Sequence, residues 1–187
     1  MCREAPHILV TGSHRSGTTW VGRTIAQMPG VRYVQEPFSV DFPGHEMTLR
    51  LRHWFAHFES SPQQDEIRKA FDDLFHPTAF RYAWLRFRRA PRGMERIGRF
   101  FSEVLSPPEH PRVLVKDPIA MFSAGWLHET YGLKVVCMIR NPFAFVGSVK
   151  KAGWDFDFDV LASQEALMKG QLAPWAARIR EARDTNT

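Results

Sequence analysis

The chain has 187 residues, 44% hydrophobic and 24% charged, with 25 Lys and Arg against 20 Asp and Glu for a net charge of +5. That length fits one globular domain able to bury about 70% of its unfolded surface, and the positive balance suits an anionic ligand without identifying one. No stretch approaches the ~18 apolar residues of a membrane span, no signal-peptide core or repeat is present, and two cysteines, Cys2 and Cys137, exclude a disulfide framework, which favours a reducing, cytoplasmic compartment.

The first legible stretch is His7 to Met28, HILVTGSHRSGTTWVGRTIAQM. Ile8, Leu9 and Val10 form an apolar run suited to a parallel strand covered on both faces. Gly12 and Gly17 bracket a polar loop, and from Thr18 apolar residues recur at helical spacing as Val21, Ile25 and Met28. A strand entering a helix through such a loop leaves N–H groups unpaired at the positive end of the helix dipole, which is an anion site. The spacing Gly12-x-x-x-x-Gly17-Thr18-Thr19 is the phosphate-loop pattern GxxxxGK[ST] with Thr18 in place of the lysine. The cation stands earlier, as Arg15. A strand–turn–helix without a ligand is the plain alternative.

GSHRSGTTW resembles the 5′-phosphosulfate loop of the sulfotransferases, in which a basic residue precedes SGTTW. The resemblance implies a P-loop NTPase-like α/β fold, a three-layer sandwich with a mainly parallel sheet, and 3′-phosphoadenosine 5′-phosphosulfate as donor. It implies that Arg15 neutralises the phosphosulfate and stabilises leaving-group charge. Backbone groups of Ser16, Gly17 and Thr18 would cradle the 5′-phosphate, the Thr18 and Thr19 hydroxyls would add donors, and Trp20 would lie near the adenine. No metal is required by this scheme.

Pro29-Gly30 stops the first helix, Val31 to Gln35 reads as a second strand, and Glu36-Pro37-Phe38 follows. Ligands collect at the carboxyl ends of parallel strands, so Glu36 falls where chemistry is expected. The carbohydrate and tyrosyl-protein branches of the family carry a similar phrase, which makes Glu36 the general base toward an acceptor hydroxyl. An exposed glutamate opening a turn is the alternative.

Residues 39–111 read as a helical insert where acceptor selection is expected. Ser61 and Pro62 suggest a helix start, with Ile67, Ala70, Phe71, Leu74 and Phe75 on one face. Ile97, Phe100, Phe101, Val104 and Leu105 form a second such face. Between them, seven arginines (81, 86, 88, 89, 92, 96, 99) interleave with aromatic residues. Single-stranded nucleic acid, an anionic glycan or lipid head group, and a merely solvated face all fit that pattern, and nucleic acid fits least. His53 and His57 stand four apart as if on one helix face, yet the intervening residues lack the glutamate of a zinc motif. Asp155, Asp157 and Asp159 open like a calcium loop that Val160 and Ala166 then break, so Asp159 is expected to cap a helix.

Arg112 to Val115 returns to strand character and leads into Lys116-Asp117-Pro118, with Pro118 placed to open a helix. The resemblance makes Lys116 a second cation near the transferring group, and Asp117 is a rival to Glu36 as base. Leu133 to Ile139, LKVVCMI, reads as the clearest buried strand, with Cys137 as a core residue. It runs into Arg140-Asn141-Pro142, and Ser148 follows Arg140 by eight residues, the spacing of the family's 3′-phosphate segment. An arginine fork suits a phosphate. After Val160 two more helices are expected, separated near Pro174. Relatives generally continue past this point with another basic segment, so the resemblance predicts a C-terminally truncated chain.

The resulting expectation is a single domain over 1–187 that transfers a sulfuryl group to a hydroxyl-bearing acceptor, a carbohydrate or other alcohol. Neither a nucleic-acid partner nor a membrane span is expected, and the oligomeric state stays open. A P-loop kinase of a nucleoside or small molecule, and a non-catalytic nucleotide- or anion-binding module, are the alternatives.

Overall fold

The structure, a computed structural model, describes residues 6–40, 49, 51–89, 93, 95–105 and 112–185. Four five-residue strands, β1 (Ile8–Gly12), β2 (Val31–Gln35), β3 (Arg112–Lys116) and β4 (Lys134–Met138), form one parallel sheet in the order β2-β3-β1-β4. The register sets Val10 and Gln35 both opposite Lys116, and Gly12 opposite Met138. All four carboxyl ends therefore lie at one edge of the molecule. The connection leaving β1 crosses β3 to reach β2, whereas the one leaving β3 crosses β1 to reach β4. Ligand crevices of open α/β sheets form where the winding changes direction in this way.

Helices cover both faces of the sheet in a three-layer sandwich. α1 (Thr18–Ile25) packs Val21 and Ile25 onto Ile8, Val10 and Leu114. On the other face, α2 (Gln64–Phe75) and α5 (Ala124–Tyr131) pack with Leu9, Val34, Val113 and Val115 in the larger core. All five apolar residues foreseen on α2 are buried, and each such side chain contributes about 1.5–3 kcal/mol relative to exposure. α2 starts at Gln64 because Ser61 Oγ accepts from the Gln63 N–H at 3.2 Å, which closes a turn ahead of the helix.

Several expectations are corrected. Among the described residues β4 is an edge strand rather than a buried one: it pairs there with β1 alone, Lys134, Val135 and Cys137 are exposed, and Val136 and Met138 are half-buried. Cys137 is thus an exposed free thiol and not a core residue. α4 (Glu95–Leu105) has no fully buried residue on its apolar face, part of which meets rings of α3 (Ala79–Arg89): Phe100 stands edge-on to Phe80 and Phe87. His53 and His57 share no helix face, because 51–57 is irregular and His57 precedes a short 3-10 turn. Pro118 opens a 3-10 turn, Pro118–Ser123, before α5 begins.

After β4 come α6 (Pro142–Lys151), α7 (Asp159–Ala162), α8 (Glu165–Lys169) and α9 (Ala176–Thr185), one helix more than the two expected after Val160. Asp157, not Asp159, accepts at the start of α7, from the Asp159 N–H at 2.8 Å. The tail is not peripheral, since Leu161, Leu167, Met168 and Ile179 enter the larger core.

Candidate active site

The loop between β1 and α1 is set by backbone chemistry. Gly12 has φ of 134°, and a Cβ there would stand 2.1 Å from the Met138 carbonyl oxygen, so only glycine fits. Gly17, at φ 94°, precedes α1 without any side-chain cap, so the N–H groups of the first turn, which have no intrahelical acceptor, are left without a side-chain partner. Ser16 folds back, its hydroxyl donating to the Ser13 carbonyl at 2.5 Å. Thr18 is buried and Thr19 half-buried. Gly22 lets α1 close on the sheet, since a Cβ there would meet the Tyr33 ring at 3.1 Å and the Lys116 stem at 3.2 Å.

Two strand ends supply opposite charges. The Glu36 N–H donates to the Lys116 carbonyl at 2.7 Å, continuing the β2–β3 ladder by one residue. Glu36 then turns with φ of 47° and its carboxylate pairs with the Lys116 ammonium. The Lys116 side chain is 3% exposed and that of Glu36 42%, so the cation is embedded while the carboxylate meets solvent. Asp117 is wholly buried. Its two oxygens accept from the Phe38 N–H at 2.8 Å and the Ile119 N–H at 3.0 Å, and burial pushes its carboxyl up to about 7. With both oxygens held by backbone, Asp117 clips the Glu36 turn to the 3-10 turn. It is not among the residues that line the cleft.

The third strand end brings Arg140 and Ser148 to the same place. Asn141 Oδ1 accepts from the Phe143 and Ala144 N–H groups at 3.0 and 3.3 Å, starting α6 directly after Arg140. Arg140 Nη1 donates to the Arg15 carbonyl at 2.7 Å, and Arg15 Nε donates to Ser148 Oγ at 3.1 Å. The Trp154 ring lies 5.5 Å from the Arg15 guanidinium carbon. Positive φ angles in non-glycine residues occur, among the described residues, at Arg15, Glu36 and Phe55. Two are the predicted chemistry-bearing positions, and the third packs edge-on to His14 at 5.5 Å. Backbone held in this region costs about 1–3 kcal/mol per residue and collects at functional sites.

Together these elements enclose a cleft of about 770 Å³. Of the predicted residues, Arg15, Gly17, Thr18, Thr19, Trp20, Glu36, Lys116 and Arg140 line it, whereas Ser16 and Ser148 are not among the lining residues. Sequence reasoning missed His14, Arg23, Thr24, Gln27 and Trp154. A signal was available for the helical ones. Trp20, Arg23, Thr24 and Gln27 follow i, i+3, i+4, i+7 spacing, a second stripe beside the apolar one of α1 that runs into the turn after it. His14 is shifted below its ordinary pKa, chiefly by burial, partly offset by Glu36 and reinforced by Lys116, so its imidazole is neutral at pH 7. Four cationic side chains (Arg15, Arg23, Lys116 and Arg140) border the space with one carboxylate, that of Glu36, and such a field concentrates anions.

Among the described residues no group of three or more His, Cys, Asp or Glu side chains is arranged to hold a metal ion, and no helix is long and apolar enough to cross a membrane. A family model described as "Sulfotransferase family" matches residues 6–186. That match reaches almost to the last residue, so the expected truncation draws no support from it. No curated protein matches the chain.

Proposed function

Because the chain belongs to the sulfotransferase family, we propose that the cleft at its strand ends is the active site, with Glu36 as general base and Arg15 and Lys116 as cations on the transferring group. Membership makes the chain an enzyme of sulfuryl transfer from 3′-phosphoadenosine 5′-phosphosulfate to an acceptor hydroxyl. When bound, that donor supplies a sulfuryl group whose bond to the 5′-phosphate oxygen breaks as the bond to the acceptor oxygen forms. The residues present suit such a donor: open N–H groups at the start of α1, Arg15 beside them, and Arg140 with Ser148 for the 3′-phosphate.

The observation that carries the assignment is the Glu36–Lys116 pair, formed across two neighbouring strand ends inside the cleft that the phosphate loop borders. Lys116 has its stem packed under α1 and only its head group to redirect. Turned toward sulfuryl oxygens, that head group leaves the Glu36 carboxylate free to accept the hydroxyl proton. A positioned base gives about 10²–10⁴ in rate, and a preorganised donor to the developing charge a comparable factor. The acceptor follows from the resemblance of the Glu36-Pro37 phrase to the glycan-modifying branch: a carbohydrate or other alcohol. Residues 1–187 act as a single domain in this reading.

Arg140→Ala tests the nucleotide assignment. Titrated by calorimetry, 3′-phosphoadenosine 5′-phosphate should bind at least tenfold more weakly than to the parent, while adenosine 5′-phosphate should change little, since a charged hydrogen bond is worth about 1.5–3 kcal/mol. Equal losses for both nucleotides would remove Arg140 from the 3′-phosphate. Transfer to none of a panel of glycans and small alcohols would overturn the acceptor class.

A further inference from the structure

Independently of the active-site reading, we propose that the α3–α4 hairpin is a docking surface for an anionic membrane. None of the residues lining the cleft lies between 79 and 105, so the donor site does not use this hairpin. Phe80 and Trp84 of α3, and Ile97, Phe101 and Leu105 of α4, are exposed, Leu105 by 81%. α4 has no fully buried residue. The hairpin is tied to the body through α3, where Tyr82 and Ala83 are buried and Arg81 pairs with Asp73 at 2.6 Å. Rings then join the two helices, with Arg96 stacked 3.7 Å from the centre of Phe87.

Charge is concentrated on the same element. The stretches of α3 and α4 hold six arginines (81, 86, 88, 89, 96, 99) against two glutamates (95, 103), so four of the chain's five net positive charges fall on them. A purely solvated face would not expose five large apolar side chains among its charges. A polyanionic chain would engage the arginines and the aromatic rings, yet it gives Ile97 and Leu105 nothing apolar to enter. A second copy would bring the same positive surface against this one. A lipid surface with anionic head groups satisfies both features, the net positive charge of the two helices and the apolar side chains exposed on them.

Flotation of the full chain with vesicles tests this. Vesicles of phosphatidylcholine with about 30 mol% phosphatidylserine should capture at least tenfold more protein than phosphatidylcholine alone, with the difference largely lost at about 0.5 M salt. Phe101→Ser combined with Leu105→Ser should cut capture tenfold or more, and Arg99→Glu several-fold, while calorimetric binding of 3′-phosphoadenosine 5′-phosphate stays unchanged. These residues are exposed, so the variants should fold, and the retained nucleotide binding checks that they do. Equal capture by both vesicle types, no capture, or a heparin affinity that survives the Phe101 and Leu105 changes without vesicle binding would each overturn the proposal, as would dimerisation that the double variant abolishes.

Discussion

Replacing Glu36 by glutamine separates the base from every other role in the cleft. The change removes the carboxylate that Lys116 pairs with, and the Lys116 side chain is only 3% exposed. Breaking a fully buried pair costs about 3–5 kcal/mol because the surviving charge is stranded. Glu36 is 42% exposed, however, so the pair is only partly buried, and the glutamine oxygen can still accept from the ammonium. The expected loss of stability is therefore about 1 kcal/mol. Turnover should fall by about 10²–10⁴, as for removal of a positioned base. Donor affinity should hold or rise, since Lys116 no longer has to leave a carboxylate to meet an incoming sulfuryl group. Product nucleotide release would measure the first effect, calorimetry with 3′-phosphoadenosine 5′-phosphate the second, and a denaturant melt the stability. Turnover within threefold of the parent would refute the reasoning, and so would a donor affinity that falls in step with turnover.

Asp117 predicts a pH dependence. Its carboxyl titrates near 7 in the folded chain against 3.8 for an unperturbed aspartate, so between those values the folded chain keeps a proton that the unfolded chain has released. Stability should decline as pH rises through that window, by at most about 4 kcal/mol. Asp117→Asn should flatten the decline while lowering stability at pH 5, because one of the two backbone N–H groups loses its acceptor; denaturant titrations at pH 5 and 8 compare the slopes, and parallel slopes would contradict the account. Gly12→Ala should leave little soluble folded protein, as its Cβ would stand 2.1 Å from a backbone oxygen. Far-UV circular dichroism on whatever is recovered checks this, and a native-like melt would mean that β1 and β4 can separate.

The local features were legible wherever residue spacing alone determines them. Val31 to Gln35 is a strand at the residues expected, and the apolar face from Ile67 to Phe75 is buried as its helical period requires. The eight-residue step from Arg140 to Ser148 runs from just before the cap of α6 to its middle, a local relation along the chain. What stayed hidden depends on partners far along the chain. LKVVCMI carries the composition of a central strand, but whether a strand is central is a property of the sheet order, and among the described residues β4 has one neighbour. The Glu36–Lys116 pair joins residues 80 apart, and the clip made by Asp117 exists only because Phe38 and Ile119 present N–H groups to it. Trp154 lies beyond α6 and reaches Arg15 only through the fold. The exposed face of α4 has the same periodicity as the buried one of α2, and periodicity does not reveal whether anything covers it.

The contact of Gly12 with the backbone of Met138 has a consequence for ligand choice. It presses the origin of the phosphate loop against the strand that delivers Arg140 two residues later, main chain on main chain, with no side chain between them to yield. The gap between the two anion-seeking points is thereby built like a caliper with its jaws locked. What can still adapt to a nucleotide is side-chain torsion alone, so a second phosphate on the neighbouring ribose hydroxyl has to be met by the reach of the Arg140 side chain and not by any shift of the two strands.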